Sequence, residues 1–360
     1  MMSGNKRVLV AMSGGVDSSI AAALLKRQGH DLVGVGMKLP EPASGATEGA
    51  AGGKPDSMES ARRVAEALDI AFRVVDYEDL FENEIIDYFC RAYVRGRTPN
   101  PCVVCNRRLK FGRLMQMAES MDCDRMATGH YVRTERDPNT GRHLLKKGLD
   151  EEKDQSYFLY SLSQEQLRRA IFPLGGMTKD ETRELATSLD LPVAERPGSQ
   201  DICFVGEQDY RQFLRNRHPE AFRPGPIVDT SGRELGRHEG IAHYTVGQRR
   251  GLGIAADEPL YVVELDGASN TVVAGTREEL EIRKIRVEKV NWIACAEPPA
   301  EIRVGVKMRY GMPDQPATVR GLSKESAEIV CDEPQRGVAP GQSAVFYQGD
   351  MVVGGGVIEK

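Results

Sequence analysis

RVLVAMSGGVDSSIAAALLKRQ, residues 7–28, decides how the rest of the chain is read. Residues 7–12 are a short apolar run, the signature of a strand buried on both faces. Residues 18–28 are rich in Ala and Leu and predict a helix, which Gly29 ends. Ser13-Gly14-Gly15-Val16-Asp17-Ser18 makes the turn between them. Gly14 and Gly15 let the backbone aim its N–H groups at an anion, and the helix adds its positive end. No Lys follows, so this is not the GxxxxGK[ST] loop, and it is not the GxGxxG fingerprint either.

Strand and helix patterns keep alternating outward from this turn. Residues 32–39 read as a strand, 58–68 as a helix, 72–75 as a strand and 79–94 as an amphipathic helix. A helix over about 106–120 and a strand at 125–128, ending in Gly129 and His130, follow. The Gly/Ala-rich segment 41–55 lacks periodicity and reads as a loop with no assigned role. Thr178 and Glu181 form a capping-box pair that opens another helix. The fold class expected is α/β, a doubly wound parallel sheet with ligands at the carboxyl ends of its strands. Past residue 206 the texture changes to short Val/Ile/Tyr-rich runs between turn signals, such as YVVEL (261–265) and NTVVAG (270–275). These predict two small β-rich or barrel domains. The expected division is 1–205, 206–280 and 281–360.

A hydrophobic content of 40% over 360 residues supplies a sizeable core. The net charge of −5 argues against a general polyanion coat, yet the basic residues cluster. Between Arg91 and Arg113 stand seven basic residues and no acidic one, a local steering feature. No run of about 18 apolar residues and no signal-peptide core is present, so no membrane role is expected. Seven widely spread cysteines do not make a secreted disulfide framework and point to a reducing cytoplasm.

Within the basic zone lies TPNPCVVCNRRLKFGR, residues 98–113. A structural zinc site needs two further Cys or His at matched spacing, which the sequence does not offer. A redox pair fits locally but leaves the glycine turn unexplained. A nucleophile fits more of the facts. Cys105, read as opening a helix with Arg107 and Arg108 behind it, has the setting that lowers a thiol pKa toward neutrality. Cys203, in the apolar run at the end of the α/β region, is by itself a core residue; beside the other two features it becomes a candidate sulfur carrier.

SGGVDS resembles the signature loop of the N-type ATP pyrophosphatase superfamily. Together with GRTPNPCVVCNRRLKF (96–111), ATGHYVR (127–133), KDQSYFLY (153–160), PGSQDICF (197–204), HYTVGQRRGLGI (243–254) and PGQSAVFY (340–347), it is similar to the tRNA-specific 2-thiouridylase family over nearly the whole chain. The resemblance implies ATP-dependent conversion of a tRNA wobble uridine to 2-thiouridine. ATP would be held by Ala11, Met12, Ser13, Gly14, Gly15, Val16, Asp17, Ser18, Met37 and Gly129, with Mg²⁺ near Asp17. It implies a persulfide on Cys203, loaded by a sulfur-relay or cysteine desulfurase protein. It further implies that Cys105 would be the nucleophile that completes transfer, by a disulfide with Cys203 or by releasing hydrogen sulfide. Asn100, Pro101 and Cys102 would flank the target base. Lys153, Asp154, Gln155, His130, Arg309, Tyr310 and Gln342 would touch tRNA. A monomer is expected.

Cys102 departs from the family pattern, which often has Asp there. Two readings stay open: Cys102 is a spare or resolving thiol, or Cys102, Cys105 and Cys203 are three ligands of an iron–sulfur cluster with one open iron. The persulfide is the favoured reading. Two rivals remain beside the resemblance. Another adenylating ligase has no use for Cys105 and Cys203, and a non-catalytic RNA-binding protein has no use for the glycine loop.

Overall fold

The computed structural model describes residues 7–41, 57–193, 202–205 and 209–359. Most of the segment read as a loop at 41–55, and residues 197–201 of the Cys203 block, lie outside them. The chain forms two compact units. One holds residues 1–82, 102–204 and 350–352; the other holds 83–101, 205–349 and 353–360.

In the first unit, β1 (Arg7–Ala11), β2 (Leu32–Lys38), β3 (Ala71–Asp76) and β4 (Cys123–Ala127) pair in parallel. Two further strands, β5 (Val132–Arg136) and β6 (His143–Lys147), form a hairpin, and β7 (Ala170–Ile171) adds to β4. The parallel sheet runs β3-β2-β1-β4-β7. Successive strand side chains face opposite ways, so Val8, Val10 and Met12 enter one core with Ile20 and Ala21 of α1 (Val16–Arg27) and Val64 of α2 (Ser57–Ala67). Two glycines of β2 fit this sheet because they lack a Cβ. One built on Gly34 would stand 2.6 Å from the Met12 sulfur, and one on Gly36 would stand 2.6 Å from that of Met58.

Two of the boundaries that differ from the sequence reading bear on the site. Helix α1 begins at Val16, not Ser18, with Gly15 as its N-cap. Asp17 and Ser18 therefore stand in its first turn, where an acid is favoured by the dipole. The helix expected over 106–120 begins at α3 (Pro101–Cys105), with Pro at its first position. It continues as a π-helical stretch over Asn106–Leu114 and ends at Ser120. The capping box at Thr178 forms as read: its hydroxyl accepts from Glu181 N–H at 3.2 Å, and the Glu181 carboxylate accepts from Thr178 N–H at 2.7 Å.

The second unit contains a helix the sequence reading missed, Tyr210–Arg217, capped by the Asp209 carboxylate. Its short length and three arginines hid it among the loops. A four-stranded sheet follows, from β8 (Gly225–Val228), β9 (Glu234–His238), β10 (Tyr261–Asp266) and β11 (Thr271–Gly275), in the order β10-β11-β8-β9. The remaining strands are β12 (Ile282–Trp292), β13 (Ile302–Lys307), β14 (Gln315–Ser323), β15 (Ser326–Gln335), β16 (Ser343–Gln348) and β17 (Met351–Ile358). They run β12-β15-β14-β13-β16-β17, and pairing of β17 with β12 closes a six-stranded antiparallel barrel. Closure removes the exposed edges. Among the described residues no helix is long and apolar enough to cross a membrane.

Gly129, just past β4, is a position of close approach. A Cβ there would lie 2.6 Å from the carbonyl carbon of Asp17 and 2.7 Å from the nitrogen of Ser18. Gly129→Ala is expected to cost about 1–3 kcal/mol of stability by overpacking. Gly176→Ala, with nothing within 4 Å, serves as the neutral control. Urea unfolding of the two variants checks this.

Candidate active site

The glycine turn is tied by its own hydroxyls. Ser18 Oγ accepts from Ser13 N–H at 3.1 Å and donates to the Gly15 carbonyl at 3.1 Å. Ser19 Oγ donates to the same carbonyl at 2.8 Å. Gly14 has φ +73°, and a Cβ there would run into the Ser57 carbonyl, so the turn needs glycine twice over. The side chains of Met12 and Val16 are buried in the core, which leaves only their backbone to meet a ligand. Ser13 is exposed at the turn, and Met37 is half-buried at the end of β2.

Asp17 has two partners that the sequence did not announce. Its Oδ1 accepts from the Lys179 ammonium at 2.6 Å and from the Tyr131 hydroxyl at 2.7 Å. The Lys179 nitrogen also lies 5.8 Å from the centre of the Tyr131 ring. Burial pushes the Tyr131 pKa up, so its hydroxyl remains a donor at neutral pH. A lysine thus stands at the glycine turn from 162 residues away. A signal for it existed. Lys179 opens the helix Lys179–Ser188, where the dipole disfavours a cation, and a charge placed against the dipole needs another reason.

The thiols form the second locus of the same unit. Cys105 does not open its helix: it is the last residue of α3. The expected lowering of its pKa is also not found. Burial, opposed by the Lys110 ammonium, pushes the Cys105 thiol up to about 12. Burial likewise raises Cys102, and again Lys110 opposes it. Cys203 is exposed to solvent, yet protein crowds its remaining sides enough to raise its pKa, once more against Lys110. Arg107 and Arg108, read as the activating cations, point out as exposed side chains. Lys110 acts instead. Five residues apart, positions 105 and 110 would diverge by about 140° on an α-helix, whereas π-helical i-to-i+5 bonding returns them toward one face. All three are free thiols, and Cys105 feels the charge of both others. Among the described residues, however, no three Cys, His, Asp or Glu side chains converge to hold a metal ion. An iron–sulfur cluster, whose cysteines each bind a different iron, does not require that convergence.

Residues 129–131 join the two loci. Gly129 abuts the backbone of Asp17 and Ser18, and Tyr131 donates to Asp17. Between them, the ring of His130 packs 6.1 Å from Phe111 of the thiol helix. Nδ1 of His130 shares a 2.7 Å hydrogen bond with the Thr128 hydroxyl. Burial, reinforced by the Lys110 charge, lowers its pKa well below the usual value, so the imidazole is neutral at pH 7.

The other predicted residues fall in several settings. Asp154 is buried, accepting from the N–H groups of Gly148 and Ser156 and from the Ser156 hydroxyl. Gln155 accepts from Tyr131 N–H, and Lys153 is half-buried. In the second unit, Arg309 and Tyr310 are exposed just past β13. Gln342 donates to the Pro99 carbonyl beside Asn100.

Alkylation distinguishes the thiols. At pH 8 the Cys105 thiolate fraction is expected to be on the order of a thousandfold below that of a free cysteine. Of Cys102, Cys105 and Cys203, iodoacetamide mapping by mass spectrometry of the ligand-free protein should modify Cys203 first and Cys105 last.

Three family models match the chain in order. They are described as the tRNA methyl transferase HUP domain over residues 6–207, the tRNA methyl transferase PRC-barrel domain over 211–276 and the aminomethyltransferase beta-barrel domain over 282–358. A tRNA-specific 2-thiouridylase MnmA from Moorella thermoacetica is 50% identical, covering 98% of this chain and 99% of its own length. Proteins of the same description from Thermoanaerobacter sp. and Clostridioides difficile are 47% and 43% identical, over 100% and 99% of this chain and 99% of each relative.

Proposed function

This chain belongs to the tRNA-specific 2-thiouridylase family, and from that premise we propose how its own residues perform the ATP-dependent 2-thiolation of a tRNA uridine. The arrangement that carries the reading is the strip 129–131, which touches a nucleotide loop at Gly129 and Tyr131 and a thiol helix at His130.

The backbone N–H groups around Gly14 and Gly15, and the positive end of α1, receive the β- and γ-phosphates of ATP. Lys179, paired with Asp17 in the free protein, turns to the phosphates when ATP binds, and Asp17 would hold the Mg²⁺ that neutralises their charge. That fits magnesium's habit of taking one or two carboxylates beside substrate phosphates. The uridine O2 attacks the α-phosphorus, and the P–O bond to pyrophosphate breaks. The O2, a poor leaving group on a urea-type carbonyl, can now depart as part of AMP.

Sulfur follows. The terminal sulfur of a Cys203 persulfide attacks C2, and the C2–O bond breaks to release AMP. Cys105 then attacks the inner sulfur of Cys203. The S–S bond breaks, sulfur stays on C2, and a Cys105–Cys203 disulfide remains for an external thiol to reduce. Release of hydrogen sulfide by Cys105 as the attacking species is the variant of this step. Solvent access suits Cys203 to loading by a sulfur-relay or desulfurase protein, and burial holds Cys105 as a thiol until that step. Cys102, half-buried among the same groups, takes the role of a resolving thiol. Asn100, Pro101 and Cys102 flank the base. His130, Lys153, Gln155, Arg309, Tyr310 and Gln342 meet the tRNA, and the buried Asp154 braces the loop that carries Lys153. The chain acts as a cytoplasmic monomer of three domains, 1–205, 206–280 and 281–360.

Two experiments test this. In tRNA incubated with Mg-ATP and a persulfide source, the wild type is expected to make 2-thiouridine, read by nucleoside mass spectrometry. Cys105→Ser and Cys203→Ser are expected to make none from persulfide; full activity of both would sink the thiol assignment. Lys179→Ala is expected to lower tRNA-dependent AMP release on the order of a hundredfold, as for loss of a group facing transition-state charge. An unchanged AMP rate would remove Lys179 from the phosphate site.

A further inference from the structure

The segment that leads into the thiol helix is gripped from the far end of the sequence. Arg97 Nη1 donates to Glu359 Oε2 at 2.9 Å, and Nη2 donates to Oε1 at 2.7 Å. Nη2 also donates to the Ile358 carbonyl at 3.1 Å. Glu359 is itself anchored, since its N–H donates to the Arg286 carbonyl of β12 at 2.9 Å. One residue further, Thr98 N–H donates to the Pro340 carbonyl at 2.8 Å. The next residue's carbonyl, that of Pro99, accepts from Gln342 Nε2 at 3.4 Å. The platform under these contacts is a backbone weave. Gly341 N–H donates to the Ile358 carbonyl, and Ile358 N–H donates to the Gln342 carbonyl, both at 2.8 Å.

The fit is close on both sides. Gly341 has φ +93°, and a Cβ there would lie 2.9 Å from the Thr98 carbonyl oxygen and 3.2 Å from the Arg97 Cβ. A Cβ on Gly267 would lie 2.6 Å from the Arg95 Cα. Residues 95–99 are therefore seated between the turn after β10 and the end of the barrel. The next residues are Asn100 and Pro101, and two prolines limit how far the backbone can relax between the grip and the helix.

We infer that Arg97 and Glu359 are positioning residues for thiolation: their two-point pair fixes the Thr98–Pro101 segment, and with it Asn100, against the substrate base. The inference rests on the reading of Asn100, Pro101 and Cys102 as the residues beside that base. The barrel so acquires a role in the chemistry beyond any contact with tRNA. A partly buried two-point pair of this kind, with side chains 31% and 27% exposed, contributes a small share of the stability of a chain this long. A shift of about 1 Å in a group that orients a reacting base costs on the order of a hundredfold in rate. The geometry demands a guanidinium, because an ammonium cannot make two parallel bonds to one carboxylate.

The test is steady-state 2-thiouridine formation by the full chain, with Tm and tRNA affinity measured beside it. Glu359→Gln and Arg97→Lys are expected to lower kcat on the order of tenfold or more, with the KM for ATP within about twofold. Their Tm should stay within about 2 °C of the wild type. Gly341→Ala, which pushes the same segment without touching a charge, is expected to lower kcat likewise. The exchanged pair Arg97→Glu/Glu359→Arg should exceed both single reversals in kcat. Wild-type rates in Glu359→Gln and Arg97→Lys overturn the inference, as does a fall in kcat that only follows the folded fraction seen by circular dichroism. A wild type that makes no 2-thiouridine overturns the proposed function, and this inference with it. An active wild type with equally active variants removes the clamp alone.

Discussion

The close approach of Gly129 to the backbone of Asp17 and Ser18 is the constraint on which the rest of the first unit depends. No side chain fits at that point. The end of β4 can therefore lie directly on the first turn of α1, and the residues on either side are set by it. Thr128 and His130 share a hydrogen bond there. Tyr131, two residues past the contact, reaches Asp17. The parallel register of β1 with β4 fixes the height at which the contact occurs. One short strip of chain thus meets both the glycine turn and the thiol helix, so a displacement at one is felt at the other.

Charge in the site is arranged by burial more than by local sequence. A thiol near several arginines reads as activated, but the arginines nearest Cys105 in sequence face solvent, where water screens them. The cation that matters is Lys110, and the winding of the helix brings it round. Desolvation still wins over that one charge, since all three thiols are raised rather than lowered. A buried thiol kept protonated is inert toward oxidants and stray electrophiles. That inertness suits a group needed only once sulfur has arrived. Lys179 is treated in the opposite way: nearly buried, it is compensated at once by Asp17 and by the face of Tyr131.

The second unit shows the same economy in backbone terms. Its closed barrel leaves no free edge, and its last strand and the residue after it hold a segment far earlier in the chain. The helix Tyr210–Arg217 was hidden because three arginines in eight residues look like a solvated run. They are placed over aromatic faces, Arg211 on Tyr210, Arg215 on Phe222 and Arg217 on Phe213. Such stacking is invisible to a hydrophobic period.

By itself the sequence determined the parallel sheet, the glycine turn, the capping box at Thr178 and the change to β texture past residue 206. These are local facts: an apolar period, a glycine pair or a hydroxyl three residues before a glutamate acts on its near neighbours. The matched blocks along the chain determined the family in the same way, by residue type at fixed spacing. Tertiary structure alone decided that Lys179 meets Asp17 at the glycine turn, that Asp154 is buried, that Cys105 sits within its helix with a raised pKa, and that Glu359 holds Arg97. Each of these depends on a partner tens to hundreds of residues away or on the degree of desolvation. Neither is encoded in a window of sequence, because both are properties of what the folded chain packs against.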